Sequence, residues 1–258
     1  FNNLSAVFKE KKSILSGLSK KDTAILNSDD PFLNRIKNKD YQIITFGIKN
    51  KSNFQADNIF RSQDSLNFTV NHKHKIVIYT PARHNIYNAL LAIACAKMLG
   101  VSYGAIKPAL ARFRFPPGRM EIKRRQGIKI INDTYNANPA SFRGAVEVLS
   151  GYNSRSRKII VCADMKELGT KSSRLHFSIG QYIGKSGIDW LITVGKLARF
   201  IALGAKNSGL AKDRIYHASS ILAACRRLQK IIHPSDIVLI KGSRAMRMER
   251  VVETLCRG

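Results

Sequence analysis

The feature that most constrains the fold is an alternation of short apolar runs with amphipathic segments in the second half of the chain. The apolar runs are rich in β-branched residues, and the amphipathic segments place their apolar side chains at helical spacing. Strands that alternate with helices form a mostly parallel sheet with helices on both faces. We therefore predict a Rossmann-like α/β domain. Its expected strands are residues 128–132, 158–163, 190–194, 214–217 and 237–240, and its expected helices are residues 140–149, 173–183, 197–206, 219–231 and 245–255.

The first half predicts a more mixed α/β arrangement. A helix beginning near Pro31 is expected to be capped by Asp29 or Asp30. A long amphipathic helix is expected to end at Gly100. The other expected elements are a helix over residues 4–15, strands over 23–26 and 42–46, an antiparallel β-region over 53–79, and helices over 84–99 and 105–113.

The triplet Pro116-Pro117-Gly118 breaks the chain between these two patterns. We therefore predict two domains, residues 1–117 and 118–258. The chain has 258 residues, which is enough for two cores of ordinary size.

Composition excludes several classes of protein. No apolar stretch approaches the roughly 18 residues needed to span a bilayer, so we expect no membrane span. The four cysteines show no C-x-x-C spacing and no histidine at metal-ligand spacing, which is typical of free thiols in a reducing compartment. A cytoplasmic location is therefore expected. The chain starts at Phe1 without a signal-like segment, and we expect it to begin within a longer protein.

The formal net charge of +27 raises the question of a nucleic-acid partner. Residues 1–118 carry 18 Lys+Arg against 7 Asp+Glu, and residues 119–258 carry 26 against 10, so the excess is spread over both halves. No aromatic residues interleave with the short basic clusters as a single-strand platform requires. We expect this charge to be solvated surface that helps to attract anionic substrates, and nucleic acid is not the expected partner.

The long helix of the first half opens with the sequence HNIYNAL. Asn85 and Asn88 are three residues apart and share one face near the positive end of the helix. An asparagine amide can donate and accept together, which matches the edge of adenine. The alternative is that an asparagine near a helix start is only a cap.

Polar motifs follow three predicted strands of the second half. In open α/β sheets ligands collect outside the carboxyl ends of the strands. The sequence NDTYNANP could be a capped turn, but its density of polar groups favours a binding loop. The second motif is DMKELG, and the third, KGSR, precedes a helix N-terminus, which suits phosphate or carboxylate. The candidate substrate-binding residues are Tyr135, Asn136, Asn138, Lys241, Ser243 and Arg244.

The ordered segments HNIYNALLAIACAKMLG, PPGRMEI, INDTYNANPASF, VCADMKELGTKSSRLH and VLIKGSRAMRMERVV resemble the Mur ligases along their central ATP-binding and C-terminal domains. AILNSDDPFL and IITFG also fit the central domain. DTYNANP and KGSRxMxME resemble the branch that adds D-alanyl-D-alanine. The resemblance covers nearly the whole chain.

The resemblance implies an ATP-dependent ligase of peptidoglycan synthesis. Such enzymes convert a substrate carboxylate to an acyl phosphate, which an amine then attacks to give an amide, ADP and phosphate. The implied substrates are UDP-N-acetylmuramoyl-tripeptide and D-alanyl-D-alanine, the implied cofactors are ATP and magnesium (Mg2+), and we expect a monomer. Carried over by position, Asn88 would contact adenine, with His84 and Asn85 beside it, and Arg119 and Asp133 would contact the ribose and phosphate region.

Lys11 falls where the family has a lysine that is carbamylated to bind a second magnesium ion; Lys9 and Lys12 lie close by, and the alternative is a surface lysine. The chain contains no G-x-x-x-x-G-K-[ST] motif. The resemblance implies that the P-loop, a magnesium-binding Glu and His, and a UDP-binding domain lie before Phe1. The chain also departs from the family at Ala82-Arg83 and Ala163, where glycine is usual.

Two alternatives remain open at this point. The first is a sibling ligase that adds another amino acid or polyglutamate, and the DTYNANP turn argues against it. The second is a non-catalytic protein that binds nucleic acid through its basic surface, and salt-dependent binding would favour it.

Overall fold

The computed structural model describes residues 4–152 and 155–257. It divides into two compact units, Phe1–Phe113 and Arg114–Gly258. The division falls a few residues before the Pro116-Pro117-Gly118 break that the sequence suggested as a boundary.

The N-terminal unit is built on a mixed five-stranded sheet in the order β1-β2-β3-β4-β5. β1 and β2 are parallel, β2 and β3 pair in parallel over two residues, and the remaining neighbours are antiparallel. The elements are α1 (Leu4–Lys12), β1 (Thr23–Asn27), β2 (Gln42–Gly47), β3 (Phe54–Arg61), β4 (Leu66–Val70), β5 (His74–Ile78), α2 (Asn85–Met98) and α3 (Tyr103–Arg112).

The core of this unit forms where α2 packs on the sheet. Ile86, Leu90 and Ile93 recur on one face of α2 and are fully buried against a cluster that includes Phe68 and Val70. This spacing of three and four residues is what places one apolar stripe on the sheet. The first turn of α2 is thereby fixed in orientation.

The prediction of a helix beginning near Pro31 is wrong. The chain forms only a single 3₁₀ turn there, Leu33–Arg35, which Asp30 caps by accepting hydrogen bonds from the Phe32 and Leu33 N–H groups at 2.9 Å. The segment after this turn is polar and has no apolar stripe that could hold a longer helix on the core. Likewise α1 ends at Lys12 and continues as a 3₁₀ turn to Gly17.

The C-terminal unit contains a six-stranded sheet in the order β10-β9-β8-β11-β7-β6, parallel except for the β6–β7 pair. Its strands are β6 (Glu121–Arg125), β7 (Ile128–Asp133), β8 (Lys158–Ala163), β9 (Trp190–Val194), β10 (Ile215–Ala218) and β11 (Ile237–Lys241). Its helices are α4 (Pro139–Ser150), α5 (Ser172–Gly184), α6 (Ala198–Lys206), α7 (Ile221–Ile231) and α8 (Glu249–Arg257).

The predicted Rossmann-like α/β fold is confirmed. Every residue of β8 and of β11 is buried, as expected for central strands covered on both faces. The five predicted strands and five predicted helices are all present, with ends that differ by a few residues. The largest difference is at α8, which begins at Glu249 because Arg244–Met246 form a 3₁₀ turn and Arg247 adopts a left-handed conformation at φ 49°.

Strand β6 was not among the expected strands. It forms a hairpin with β7 through Gln126 and Gly127, whose φ angles of 47° and 77° fit a two-residue turn. The run of basic residues in β6 was interpreted as a solvated surface cluster and not as part of a strand. The residue pair before Ile128 is the signal that could have identified the hairpin.

Among the described residues, no helix has the length and apolar character required to cross a bilayer.

Candidate functional site

Three polar motifs meet at one edge of the C-terminal sheet. β8, β11 and β7 are neighbours and run parallel, so their carboxyl ends lie side by side. The loops that begin with Asp133, Asp164 and Lys241 follow these three strands. The topology therefore brings together residues that are far apart in the sequence.

A buried ion pair joins two of these loops. The Lys241 ammonium donates to Asp133 Oδ2 at 2.5 Å and to the carbonyl oxygen of Asn136 at 3.0 Å. The side chain of Lys241 is 1% exposed and that of Asp133 is 13% exposed. The other carboxylate oxygen of Asp133 accepts from the Met120 N–H at 3.1 Å. Lys241 therefore fixes the loop of Asp133 through these hydrogen bonds. For the Lys241 ammonium to contact a ligand directly, its ion pair with Asp133 would have to break.

Arg119 and Tyr135 form an exposed stack beside this pair. The Arg119 guanidinium carbon lies 3.8 Å from the centre of the Tyr135 ring. Gly118 makes the approach possible: it has a φ of 75°, its carbonyl accepts from the Tyr135 N–H at 2.9 Å, and an added Cβ would lie 3.1 Å from Thr134 Oγ1. Stacking uses the face of the guanidinium, so its N–H groups, which point outward in the plane, can still donate to an anion.

Ser243 connects the loops after β8, β11 and β7. Its hydroxyl accepts from the Lys166 N–H at 2.8 Å and donates to the carbonyl of Ala137 at 3.4 Å, and its own N–H donates to the Asp164 carbonyl at 3.1 Å. Ser243 is buried, whereas Arg244 is exposed and lies 3.6 Å from Glu249. Arg244 and Lys166 thus place cationic groups at this edge, with Lys166 Nζ lying 3.3 Å from Asp164 Oδ2.

Two predicted asparagines have local partners within the turn after β7. Asn138 caps α4 in a capping box with Ser141, with Asn138 Oδ1 accepting the Ser141 N–H at 2.8 Å. Asn136 Oδ1 accepts from the Ala137 N–H at 2.8 Å, and its side chain faces solvent. The capped-turn interpretation therefore accounts for Asn138. The hydrogen bond of Asn136 uses its side-chain oxygen, and its exposed amide N–H groups remain accessible to a ligand.

In the N-terminal unit the two predicted asparagines form a chain of hydrogen bonds. Asn85 is buried and donates to Thr80 Oγ1 at 3.0 Å, and its carbonyl oxygen accepts from the Asn88 amide at 2.9 Å. Asn88 is exposed, with its carbonyl oxygen and one N–H directed away from this bond. His84 is the exposed residue preceding α2 and makes no side-chain cap there. Asn88 is therefore accessible and Asn85 is not, and the contact of Asn88 with adenine stays a prediction.

A neighbouring cluster around Asp29 was missed as part of the site. Burial works against ionisation of Asp29, but N–H groups of Ile48, Lys49 and Asn50 and the Tyr87 hydroxyl hydrogen-bond its carboxylate, and the net effect lowers its pKa. Burial, together with the hydrogen bond to Asp29 and its charge, raises the pKa of Tyr87 to about 12. Asp29 thus ties the carboxyl ends of β1 and β2 to the first turn of α2. Asp29 and Tyr87 are far apart in the sequence, so no local pattern predicts their contact. The only sequence signal was the pair of aspartates that follows a predicted strand.

Lys11 is exposed in the last turn of α1. Among the described residues, no group of three or more His, Cys, Asp or Glu side chains could hold a metal ion. Magnesium binding, with Lys11 as a carbamate, therefore stays a prediction.

Two family profiles match the chain. The Mur ligase middle domain matches residues 1–96, and the Mur ligase glutamate ligase domain matches residues 118–244.

Relatives that match nearly the whole chain are named UDP-N-acetylmuramoyl-tripeptide–D-alanyl-D-alanine ligase. The protein from Bacillus subtilis is 30% identical over 247 residues, covering 95% of this chain and 53% of the relative. The protein from Escherichia coli is 33% identical over 268 residues, covering 99% of this chain and 56% of the relative. The chain spans about half the length of the curated relatives it matches.

Solved structures agree with this match. A crystal structure of MurF from Acinetobacter baumannii superposes with a TM-score of 0.87 at 28% identity, covering 98% of this chain and 56% of that protein. MurF from Thermotoga maritima in complex with ADP superposes with a TM-score of 0.83 at 22% identity, covering 98% of this chain and 57% of that protein, and supports the fold.

Proposed function

Because the chain belongs to the Mur ligase family, we propose that it forms the middle and C-terminal part of an ATP-dependent ligase of peptidoglycan synthesis. The proposed reaction joins D-alanyl-D-alanine to UDP-N-acetylmuramoyl-tripeptide. The observation that carries the proposal is the loop cluster at β7, β8 and β11, which holds exposed cations around the buried Asp133–Lys241 pair. Relatives that bear the name of this enzyme support the assignment of substrates.

The proposed chemistry activates the terminal carboxylate of the tripeptide and then transfers its acyl group. Bound ATP supplies the phosphoryl group that makes the carboxylate an acyl phosphate. The amine of the dipeptide attacks the acyl carbon, an amide bond forms, phosphate leaves, and the amine loses a proton. Negative charge lies on the acyl phosphate and on the dipeptide carboxylate, so fixed cations nearby would stabilise both.

In the C-terminal unit, we assign anion binding to exposed side chains and positioning to buried ones. Arg119, Lys166 and Arg244 have exposed side chains with N–H donors suited to carboxylate or phosphate. Lys241 and Ser243 are buried and hold the loops in register. Arg119 and Asp133 are the residues proposed for the ribose and phosphate region, with Tyr135 and Asn136 on the dipeptide side.

In the N-terminal unit, Asn88 is proposed to contact adenine, with Asn85 fixing its amide and His84 exposed beside it. Magnesium is expected to act with ATP, and Lys11 is the described residue that we propose to contribute to its binding. The chain has no P-loop motif, so we expect negligible ATP turnover from these 258 residues alone. A monomer in the cytoplasm remains the expected state.

Binding to the chain itself tests the proposal. Calorimetric titration with D-alanyl-D-alanine should show binding, whereas L-lysine and D-glutamate should bind at least about tenfold more weakly if the amine site is specific. ADP should bind through its adenosine side, and Asn88→Ala should weaken it. Preference for another amine would favour a sibling ligase.

The activity test uses ATP, magnesium, UDP-N-acetylmuramoyl-tripeptide and D-alanyl-D-alanine with a protein that includes a P-loop domain joined to this chain. Phosphate release that depends on the dipeptide supports the proposal, and its absence contradicts it. Salt-sensitive binding of DNA that is tighter than binding of ADP would instead favour a nucleic-acid-binding protein.

A further inference from the structure

His176 is a buried histidine with both ring nitrogens engaged by the backbone. Its side chain lies on α5 and is 0% exposed. Nε2 accepts a hydrogen bond from the Met165 N–H at 2.8 Å, which leaves Nδ1 to donate to the carbonyl of Ser172 at 2.7 Å. Because an amide N–H can only donate, this geometry requires the neutral imidazole with its proton on Nδ1.

The bond to Met165 fixes the loop that supports Ser243. Met165 is fully buried, and the next residue, Lys166, donates its N–H to the Ser243 hydroxyl at 2.8 Å. That hydroxyl in turn reaches the carbonyl of Ala137 in the turn after β7. The hydrogen bonds therefore run from α5 through the loop after β8 to the loops after β11 and β7.

A second anchor holds the same loop from the other side. The Asp164 carboxylate accepts N–H groups of Leu197 and Ala198 at 3.0 and 2.8 Å, at the start of α6. With Asp164 anchored at α6 and Met165 anchored at His176, the backbone of Lys166 has little freedom. The Lys166 ammonium donates to Asp164 Oδ2 at 3.3 Å, and its side chain remains 44% exposed at the carboxyl edge of the sheet.

We propose that His176 is a positioning residue of the amine-binding site: its neutral ring sets the loop of Lys166 and Ser243, and protonation of Nε2 releases that loop. The proposal rests on the proposed function for the identity of the ligand and for its binding at these loops. The hydrogen-bond geometry itself is independent of it.

The local charges agree with a neutral ring at physiological pH. Burial lowers the pKa of His176, with Lys166 acting in the same direction, while the Ser172 carbonyl and the charge of Asp164 oppose the change. The ordinary pKa is 6.5. The loop should therefore be intact above this value and be released as the pH falls toward the lower folded-state pKa.

The experiment compares His176→Gln and His176→Leu with the unsubstituted chain. Glutamine offers one acceptor and one donor and cannot titrate, whereas leucine offers neither. His217→Gln is the matched control, since His217 is exposed on β10 and bonds Thr193 Oγ1 through Nδ1. The probes are calorimetric affinity for D-alanyl-D-alanine from about pH 8 to 5 and hydrogen exchange of the Met165 and Lys166 amides.

We expect His176→Leu to weaken dipeptide binding by about tenfold at pH 8 and His176→Gln to retain it. Toward acid pH the two proteins that keep His176, the unsubstituted chain and His217→Gln, should lose more affinity than His176→Gln, whose own change reports the titrating amine of the dipeptide. Loss of stability with unchanged affinity, or the same acid loss in His176→Gln, would overturn the proposal.

If the unsubstituted chain does not bind the dipeptide at pH 8, the proposed function is contradicted for this chain. The exchange rates then decide the positioning role alone. Faster exchange at Lys166 in His176→Leu, but not in His176→Gln, supports it, and equal rates in all variants refute it.

Discussion

Replacing Lys241 with methionine should destabilise the C-terminal unit through the charge that it leaves behind. Methionine has nearly the length of lysine without its charge. The Asp133 carboxylate would then keep only the Met120 N–H as a partner in a setting that is 13% exposed. Breaking one side of a buried pair costs about 3 kcal/mol or more, mostly because the remaining charge is left unpaired.

The single tryptophan, Trp190, lies at the start of β9, so its fluorescence reports on this unit during urea unfolding. With an m-value of about 2 kcal/mol per M, a loss of about 3 kcal/mol lowers the urea midpoint by about 1.5 M. Lys230→Met on the exposed side of α7 is the control and should change stability by less than about 0.5 kcal/mol.

The double variant Asp133→Asn with Lys241→Met tests the physical cause. Asparagine retains an oxygen for the Met120 N–H and carries no charge, so the double variant should recover about 2 kcal/mol relative to Lys241→Met. A midpoint shift below about 0.5 M in Lys241→Met, or a double variant less stable than the single one, would refute the unpaired-charge argument.

Three further predictions concern packing, capping and acid stability. Gly180→Ala should lower the unfolding free energy by about 3 kcal/mol, because the added Cβ would lie within 3 Å of the Ile201 carbonyl oxygen where α5 crosses α6. The control is Gly144→Ala, whose Cβ would lie in open space on α4. It should raise the unfolding free energy by up to about 1 kcal/mol in the same urea assay. Asn138→Ala should cost about 1 kcal/mol through loss of the α4 cap, and Asn138→Asp should retain most of that stability; equal losses would contradict the capping role. Because the pKa of Asp29 is lowered, its contribution is present above the ordinary value of 3.8 and is lost as the pH falls below it. Asp29→Asn should therefore flatten the acid-side loss of stability followed by circular dichroism, and an unchanged slope would count against the argument.

The sequence predicted the C-terminal unit well because its signals are local. Strands buried on both faces are short continuous apolar runs, and the helices between them have a single apolar face. Once β7, β8 and β11 are parallel neighbours, their polar endings must share one edge. The sequence therefore placed the motifs at carboxyl ends of strands, and the strand order of the folded sheet made them neighbours.

The sequence failed where local patterns were weak or were outweighed by distant contacts. The paired aspartates before Pro31 predicted a capped helix, but no apolar stripe follows them, and Asp29 instead binds backbone N–H groups about 20 positions later. β6 was hidden by its basic residues. Both errors arise because a local pattern does not reveal which tertiary partner a side chain will find.

By itself, the sequence determined the α/β class, the alternation of strands and helices from β7 onward, and the position of the polar motifs at the carboxyl ends of strands. Only the tertiary structure decided what each polar residue does there. Lys241 and Asp133 are 108 positions apart, and their burial together assigns them to holding loops, while Arg119 and Arg244 stay exposed. The reason is that period and composition report one residue's neighbours along the chain, whereas burial and hydrogen bonding depend on neighbours in space.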